Sequence, residues 1–358
     1  MKNLDSNLRL WIAQAITIII SLLLVFFIAE LICRVKGTYL SYSERIGIGG
    51  YISPFETYDR GWTNSYSPYQ KCLIVRSEFT DSWTANKDGL KEIGIKDVKT
   101  SKRILVLGDS FTEGVGAPPD SSYPRILESV FRKNSDSTVQ IINAGLGGSD
   151  IFFEYKLLLE LLPKYKPDII ILTLNSSDIF EYITRGGFER FKKNGVVTYR
   201  QAPWFEPFYA HSLLFRMLIH DIFNYDYSFI KQRNYEREIE KAQNNLSSAI
   251  DSFQITCNAN HLRFGVIFHP LYPDFQHPEL YRMIPLINHC NEKNISYINA
   301  LDYFYKSNID ENNWQTIYWP VDGHFKSKGY NYLATCVYEF IDNISWIEEI
   351  KQPSISEQ

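Results

Sequence analysis

Ser110 stands directly after Gly108-Asp109, at the end of a short apolar run from Arg103 to Leu107 that is bounded by Lys102 and Gly108. A run of this kind reads as a strand buried on both faces. The residue just past its end lies where open α/β sheets hold their ligands. A serine hydroxyl there could act as a nucleophile, given a base in reach, a group orienting that base, and amide donors for an oxyanion. The chain offers residues of each type. Asp274-Phe-Gln-His277 and Asp322-Gly-His324 each set a carboxylate just ahead of an imidazole. Gly145-Leu-Gly-Gly148 follows a second apolar run, and glycine lets a backbone N–H approach a reacting oxygen unobstructed. Asn175-Ser-Ser-Asp178 follows a third such run. The chemistry these types could support is acyl transfer through serine. The plain alternative is a serine that caps a turn and glycines that make one.

Positioning them requires strands and helices in alternation, and from Lys102 onward the sequence alternates in this way. Strands are expected at Arg103–Leu107, Val139–Asn143, Asp168–Leu174, Arg263–Phe268 and Ser296–Asn299. Helices are expected at Tyr123–Lys133, Ile151–Lys164, Tyr235–Asn258, Pro278–Lys293 and Ser327–Ile341. Tyr155, Leu158, Leu159 and Leu162 recur at helical spacing. The pattern predicts a parallel sheet with helices on its faces. Residues 180–234, rich in aromatics with Gly186-Gly187, Pro203, Trp204 and Pro207, interrupt it. A lid or substrate wall, or an aromatic surface resting on a membrane or partner, would both account for this insertion.

The blocks resemble those of the SGNH (GDSL-type) hydrolases, over roughly residues 100–345. In that family the nucleophile sits in a Gly-Asp-Ser block after the first strand, here Ser110. The second block supplies an oxyanion glycine, for which Gly148 is the best match and Gly147 the second. The third block, Gly-x-Asn-Asp, is altered here. Asn175 replaces the glycine and Ser177 stands where the donor asparagine is expected, so Ser177 or Asn175 would give the third oxyanion hydrogen bond beside Ser110 and Gly148. The family's acid and base open the last helix. That position favours Asp322 and His324 over Asp274 and His277, although Asp-x-His is one residue shorter than the usual Asp-x-x-His. Gly329 and Ala334 fit the pattern after the base.

The resemblance implies a three-layer α/β sandwich with a flavodoxin-like parallel sheet and a Ser110-His324-Asp322 triad. Tyr58-Asp-Arg-Gly-Trp62 and Trp83-Thr-Ala-Asn-Lys-Asp-Gly-Leu90 are similar to the segment ahead of the first catalytic strand in membrane-anchored members. Of the remaining histidines, His269, just after a strand, is the one to expect near substrate.

Residues 10–32 are almost wholly apolar and would span about 35 Å as a helix, enough for a hydrocarbon core of about 30 Å. An uncleaved anchor is expected, since the stretch is longer than a signal peptide's apolar region and lacks a small-residue cleavage site. Lys2 and Arg9 at one end and Arg34 and Lys36 at the other leave orientation open by charge. A single N-terminal anchor ahead of a large domain points to an extracytoplasmic domain. The expected organisation is an anchor over 1–37, a linker and strand region over 38–100, the α/β hydrolase domain over 101–345 with its insertion, and a tail over 346–358.

In 358 residues there are 45% hydrophobic and 22% charged residues and a net charge of −4, which gives nucleic acid no reason to bind. Cys33, Cys72, Cys257, Cys290 and Cys336 show no metal-binding spacing, and one disulfide is conceivable in an exported domain. Gly114-Val-Gly116 lacks the lysine of a phosphate loop. No cofactor or metal is expected. The function expected from the resemblance is a serine esterase acting on acyl esters, O-acetyl groups in particular, of an envelope glycan or lipid. An O-acyltransferase with the same triad and a non-catalytic glycan-binding or scaffold protein are the alternatives.

Overall fold

The computed structural model describes residues 6–40, 57–59, 64–91, 102–134, 139–192, 197–198, 200, 202–278 and 281–349. The chain divides into two compact units, residues 46–200 with 237–358, and residues 1–45 with 201–236.

The larger unit holds a parallel five-stranded sheet. Two antiparallel pairs precede it: β1 (Thr57–Asp59) with β2 (Asn64–Tyr66), and β3 (Lys71–Val75) with β4 (Thr80–Thr84). The sheet strands are β5 (Lys102–Gly108), β6 (Val139–Gly145), β7 (Ile169–Leu174), β8 (Arg263–Phe268) and β9 (Ser296–Asn299), in the order β6-β5-β7-β8-β9. All of β6 and β7 is buried, as unbroken apolar runs require when helices cover both faces.

From β5 the chain steps one way to β6 and then back across to β7. The strand order therefore reverses beside β5, and the crevice at the carboxyl ends of the strands opens there. Ser110 sits at that point. Right-handed crossovers put α3 (Tyr123–Asn134) on one face and α4 (Ile151–Tyr165) and α8 (Tyr235–Ala259) on the other. Tyr155 of α4 meets Phe253 of α8 edge-on at 5.3 Å, and α12 (Ser327–Asn343) returns to pack on α3 through Tyr338 against Phe131. These are the three layers of a flavodoxin-like fold.

The expected elements form with small shifts, save one. Helix α10 starts at Ile284, not Pro278, because Pro285 lacks the N–H that an interior turn needs and belongs in a first turn. A short helix, α9 (Tyr272–Gln276), stands ahead of it. Trp346 and Ile347 are buried, Trp346 against Phe340, so the chain is still packed at the start of the expected tail. The insertion divides. Helix α5 (Ser177–Arg185) and Phe188, edge-on to Phe152 at 4.9 Å, belong to the larger unit, and residues 201–236 belong to the smaller one.

The segment 71–91 is built into the α/β unit. Asp88 accepts from Lys164 at 3.1 Å and from Tyr165 at 2.5 Å, both on α4, and buried Lys91 donates to Asp81 and to Gly114 O. Trp83 is buried against Tyr66, whereas Gly61 and Trp62 lie outside the described residues. All five cysteines are buried free thiols, so the conceivable disulfide is not formed.

The smaller unit is organised around α1 (Ser6–Lys36), long and apolar enough to cross a membrane. Its final turns meet α7 (Leu213–Met217), where Cys33 packs with Leu213 and Leu214. Glu30, the one acidic residue of α1, accepts hydrogen bonds from Ser212 Oγ at 2.8 Å, Leu213 N at 3.2 Å and Leu214 N at 2.9 Å, and pairs with Arg34 at 2.8 Å.

Candidate active site

The site is assembled from the carboxyl ends of three neighbouring strands and one distant loop. β5 ends in Gly108, and the chain turns at once into α2 (Ser110–Glu113) with Asp109 as its cap, one carboxylate oxygen accepting from Phe111 N at 2.8 Å. Gly145, at the end of β6, lies against this turn so closely that a Cβ there would fall 2.2 Å from Glu113 N. Only glycine allows that approach, which fixes where Ser110 begins its helix.

The Ser110 hydroxyl lies 2.7 Å from His324 Nε2, and His324 Nδ1 lies 2.5 Å from Asp322 Oδ1. An N–H at Nδ1 donating to the carboxylate leaves Nε2 as the acceptor for the serine proton. Asp322 and His324 are only two residues apart, and Gly323 makes this spacing work. Its φ of +88° turns the backbone so that both side chains converge, within a loop closed by Trp319 N to His324 O and Gly323 N to Trp319 O, each 2.8 Å. The indole of Trp319 donates to Gly116 O at 2.8 Å, tying this loop to the segment after the nucleophile.

The rival pair is not there. Asp274 is turned to Leu271 N at 2.7 Å, and burial pushes its carboxyl up to about 6, while His277 is exposed.

Of the two glycines, Gly147 has its N–H bonded to Glu113 Oε2. Burial raises the Glu113 carboxyl, against the pull of Lys91. Gly148 is exposed, with φ +74° and open space where a Cβ would point. Among the described residues no hydrogen bond uses the N–H of Ser110 or of Gly148.

Asn175 requires a correction as an oxyanion donor. Its two amide N–H groups point to Asp109 Oδ2 at 2.9 Å and His269 Nε2 at 3.1 Å, and its oxygen accepts from Ser177 N at 2.9 Å. Both donors are spent. Ser177, in the family's asparagine position, is partly exposed at the start of α5.

His269 also differs from expectation. Expected near substrate, it is fully buried, and its ring Nδ1 faces Pro270 O at 3.1 Å. Burial lowers its pKa and keeps it neutral, with Nε2 as acceptor for Asn175. The ring of Phe111 separates the two imidazoles, 4.7 Å from His269 and 4.9 Å from His324.

Sequence reasoning missed Arg76 and Glu78, at the turn between β3 and β4. Arg76 Nε is 3.6 Å from Asp322 Oδ2, and Glu78 Oε2 accepts from Val321 N at 2.9 Å and Asp322 N at 2.7 Å. No motif marks them, because their partner is more than 240 residues away. Among the described residues there is no cluster of three or more His, Cys, Asp or Glu able to hold a metal.

Residues 106–332 match the family model of the GDSL-like lipase/acylhydrolases. The chain belongs to that family of ester-cleaving enzymes. An arylesterase of Vibrio mimicus is 29% identical over 80 residues, covering 22% of this chain and 40% of that one, so the chain spans less than half the length of this relative. Among solved structures, a psychrotrophic esterase of Pseudoalteromonas aligns over 68% of this chain and 98% of its own with a TM-score of 0.39 and 13% identity. An acetyl xylan esterase aligns over 66% and 98% with a TM-score of 0.42 and 15% identity.

Proposed function

We propose that this GDSL-family protein is a serine esterase in which Ser110 attacks an acyl ester. His324 takes the hydroxyl proton and later returns it to the leaving alcohol, and Asp322 orients the ring and stabilises the imidazolium. The amides of Ser110 and Gly148, with the Ser177 hydroxyl, hold the tetrahedral oxyanion. Water then clears the acyl-enzyme. The continuous line of short contacts from Ser110 Oγ through His324 to Asp322 carries this reading. A labelled fluorophosphonate tests it. Wild type is expected to label and Ser110→Ala to stay blank, and equal labelling of the two overturns the assignment.

The substrate we propose is an acyl ester, such as an O-acetyl group, on a glycan or lipid held near a membrane surface. This rests on α1 as a retained anchor with an extracytoplasmic catalytic domain. Glu30 supports retention. A leader destined for removal has no use for a carboxylate satisfied by three groups more than 180 residues away. An intact N-terminus in the mass of the membrane-extracted protein is expected, and a mass that begins beyond Lys36 overturns retention. Protease treatment of intact against permeabilised cells tests the side. Hydrolysis of an acetyl ester with and without an acceptor sugar distinguishes release to water from transfer.

A further inference from the structure

We propose that Arg76 and Glu78, on the β3–β4 turn, are positioning residues for Asp322: Arg76 supplies the counter-charge to its carboxylate, and Glu78 fixes the backbone that presents it. This rests on the roles given above to Ser110, His324 and Asp322.

The Asp322 side chain is wholly buried, and a carboxylate so placed is costly unless a counter-charge and hydrogen bonds meet it. One oxygen is held by His324. The other faces Arg76 Nε at 3.6 Å, and that side chain is itself only 14% exposed. Arg76 N–H donates to Phe79 O at 2.8 Å, closing the turn that aims Arg76 and Glu78 at the same loop. A single Glu78 oxygen then accepts both the Val321 and the Asp322 amides. Phe79 adds a third contact, stacking on Trp319 with ring centres 5.5 Å apart. The hairpin therefore grips the acid–base loop through charge, amide and ring together.

The charge has a consequence that a merely structural brace would lack. Among the described residues, ionisable groups facing the Asp322–His324 pair include Arg76 and Glu78 from the hairpin, Glu113 from α2, His269 after β8 and Tyr330 from α12. Of these Arg76 alone is cationic at neutral pH. A cation placed there opposes the positive charge an imidazole gains on protonation. Its removal raises the pH at which the base loses its proton.

The test uses the full-length chain in detergent and reads the rate of fluorophosphonate labelling against pH, which needs no knowledge of the natural ester. In Arg76→Gln and Arg76→Met the midpoint of the acid limb is expected to rise by about one unit, with a plateau about tenfold lower. Arg76→Lys returns the midpoint to the wild-type value. Glu78→Ala slows labelling about tenfold and, by removing an anion rather than a cation, does not raise the midpoint, and Glu78→Gln, which keeps an acceptor oxygen, restores most of the rate. Circular dichroism on each variant identifies any that misfold, and the two neutral replacements of Arg76 stand in for one another. Wild-type midpoints in whichever of them folds overturn the Arg76 role, and a wild-type rate in Glu78→Ala overturns the Glu78 role. Labelling of Ser110→Ala would instead overturn the site assignment itself.

Discussion

Two glutamates in separate parts of the molecule do the same physical work. Glu78 receives the amides of Val321 and Asp322, and Glu30 receives those of Leu213 and Leu214. Each sits on an element outside the strand–helix alternation and holds two consecutive N–H groups of a distant stretch. The first fixes the Asp322–His324 loop, and the second fixes a short helix against the apolar α1. The difference lies in the surroundings: Glu78 shares its turn with Arg76 and faces the loop that carries the imidazole, while Glu30 works among apolar side chains with Arg34. An accessory segment can thus be assigned by what its partly buried carboxylate holds, whether or not it carries a motif.

The largest effect should fall on the catalytic side. Asp322→Asn is expected to lower the rate of acetyl ester hydrolysis by about 10³–10⁴, because the amide favours the wrong imidazole tautomer. Steady-state rates check this, and proteolysis of residues 201–236 should be unchanged.

Asp274 shows what happens to a buried acid that receives a single amide. Its folded value of about 6 lies above the ordinary 3.8 of the unfolded chain, so the native state binds the proton more tightly. The stability this gives is present below about pH 4 and is lost as pH rises to about 6, a change of about 3 kcal/mol. Denaturant midpoints between pH 4 and 7 should fall in wild type and stay flatter in Asp274→Asn.

Glu30→Ala leaves the Leu213 and Leu214 amides without their acceptor and should cost about 2 kcal/mol in the smaller unit. Limited proteolysis of 201–236 reads this, with the labelling rate at Ser110 unchanged. A parallel fall in that rate would break the comparison by showing that the two clasps are coupled. Glu30→Gln, which keeps one acceptor oxygen, is expected to cost less than Glu30→Ala in the same assay.

The sheet was legible because its strands are unbroken apolar runs, and such runs have few other stable uses. Arg263–Phe268 and Ser296–Asn299 come out to the residue. The short Asp-x-His spacing ahead of the last helix marks the loop that lies against Ser110, whereas the literal motif at Asp274 lies elsewhere. Asn175 misled because residue type gives capacity to donate, and only the fold says which acceptors claim it. His269 misled similarly, since a residue after a strand can turn inward as readily as outward. Arg76 and Glu78 were invisible because their contacts join the first hundred residues to the last forty, and no periodicity records such a pairing.

The turn at Gly323 has one more implication. Carboxylate and imidazole lie two positions apart, whereas the hydroxyl they serve is 214 positions upstream. The pair is therefore held by contacts that close within a few residues. The contact with Ser110, by contrast, needs the first strand of the parallel sheet and the loop ahead of the final helix to meet.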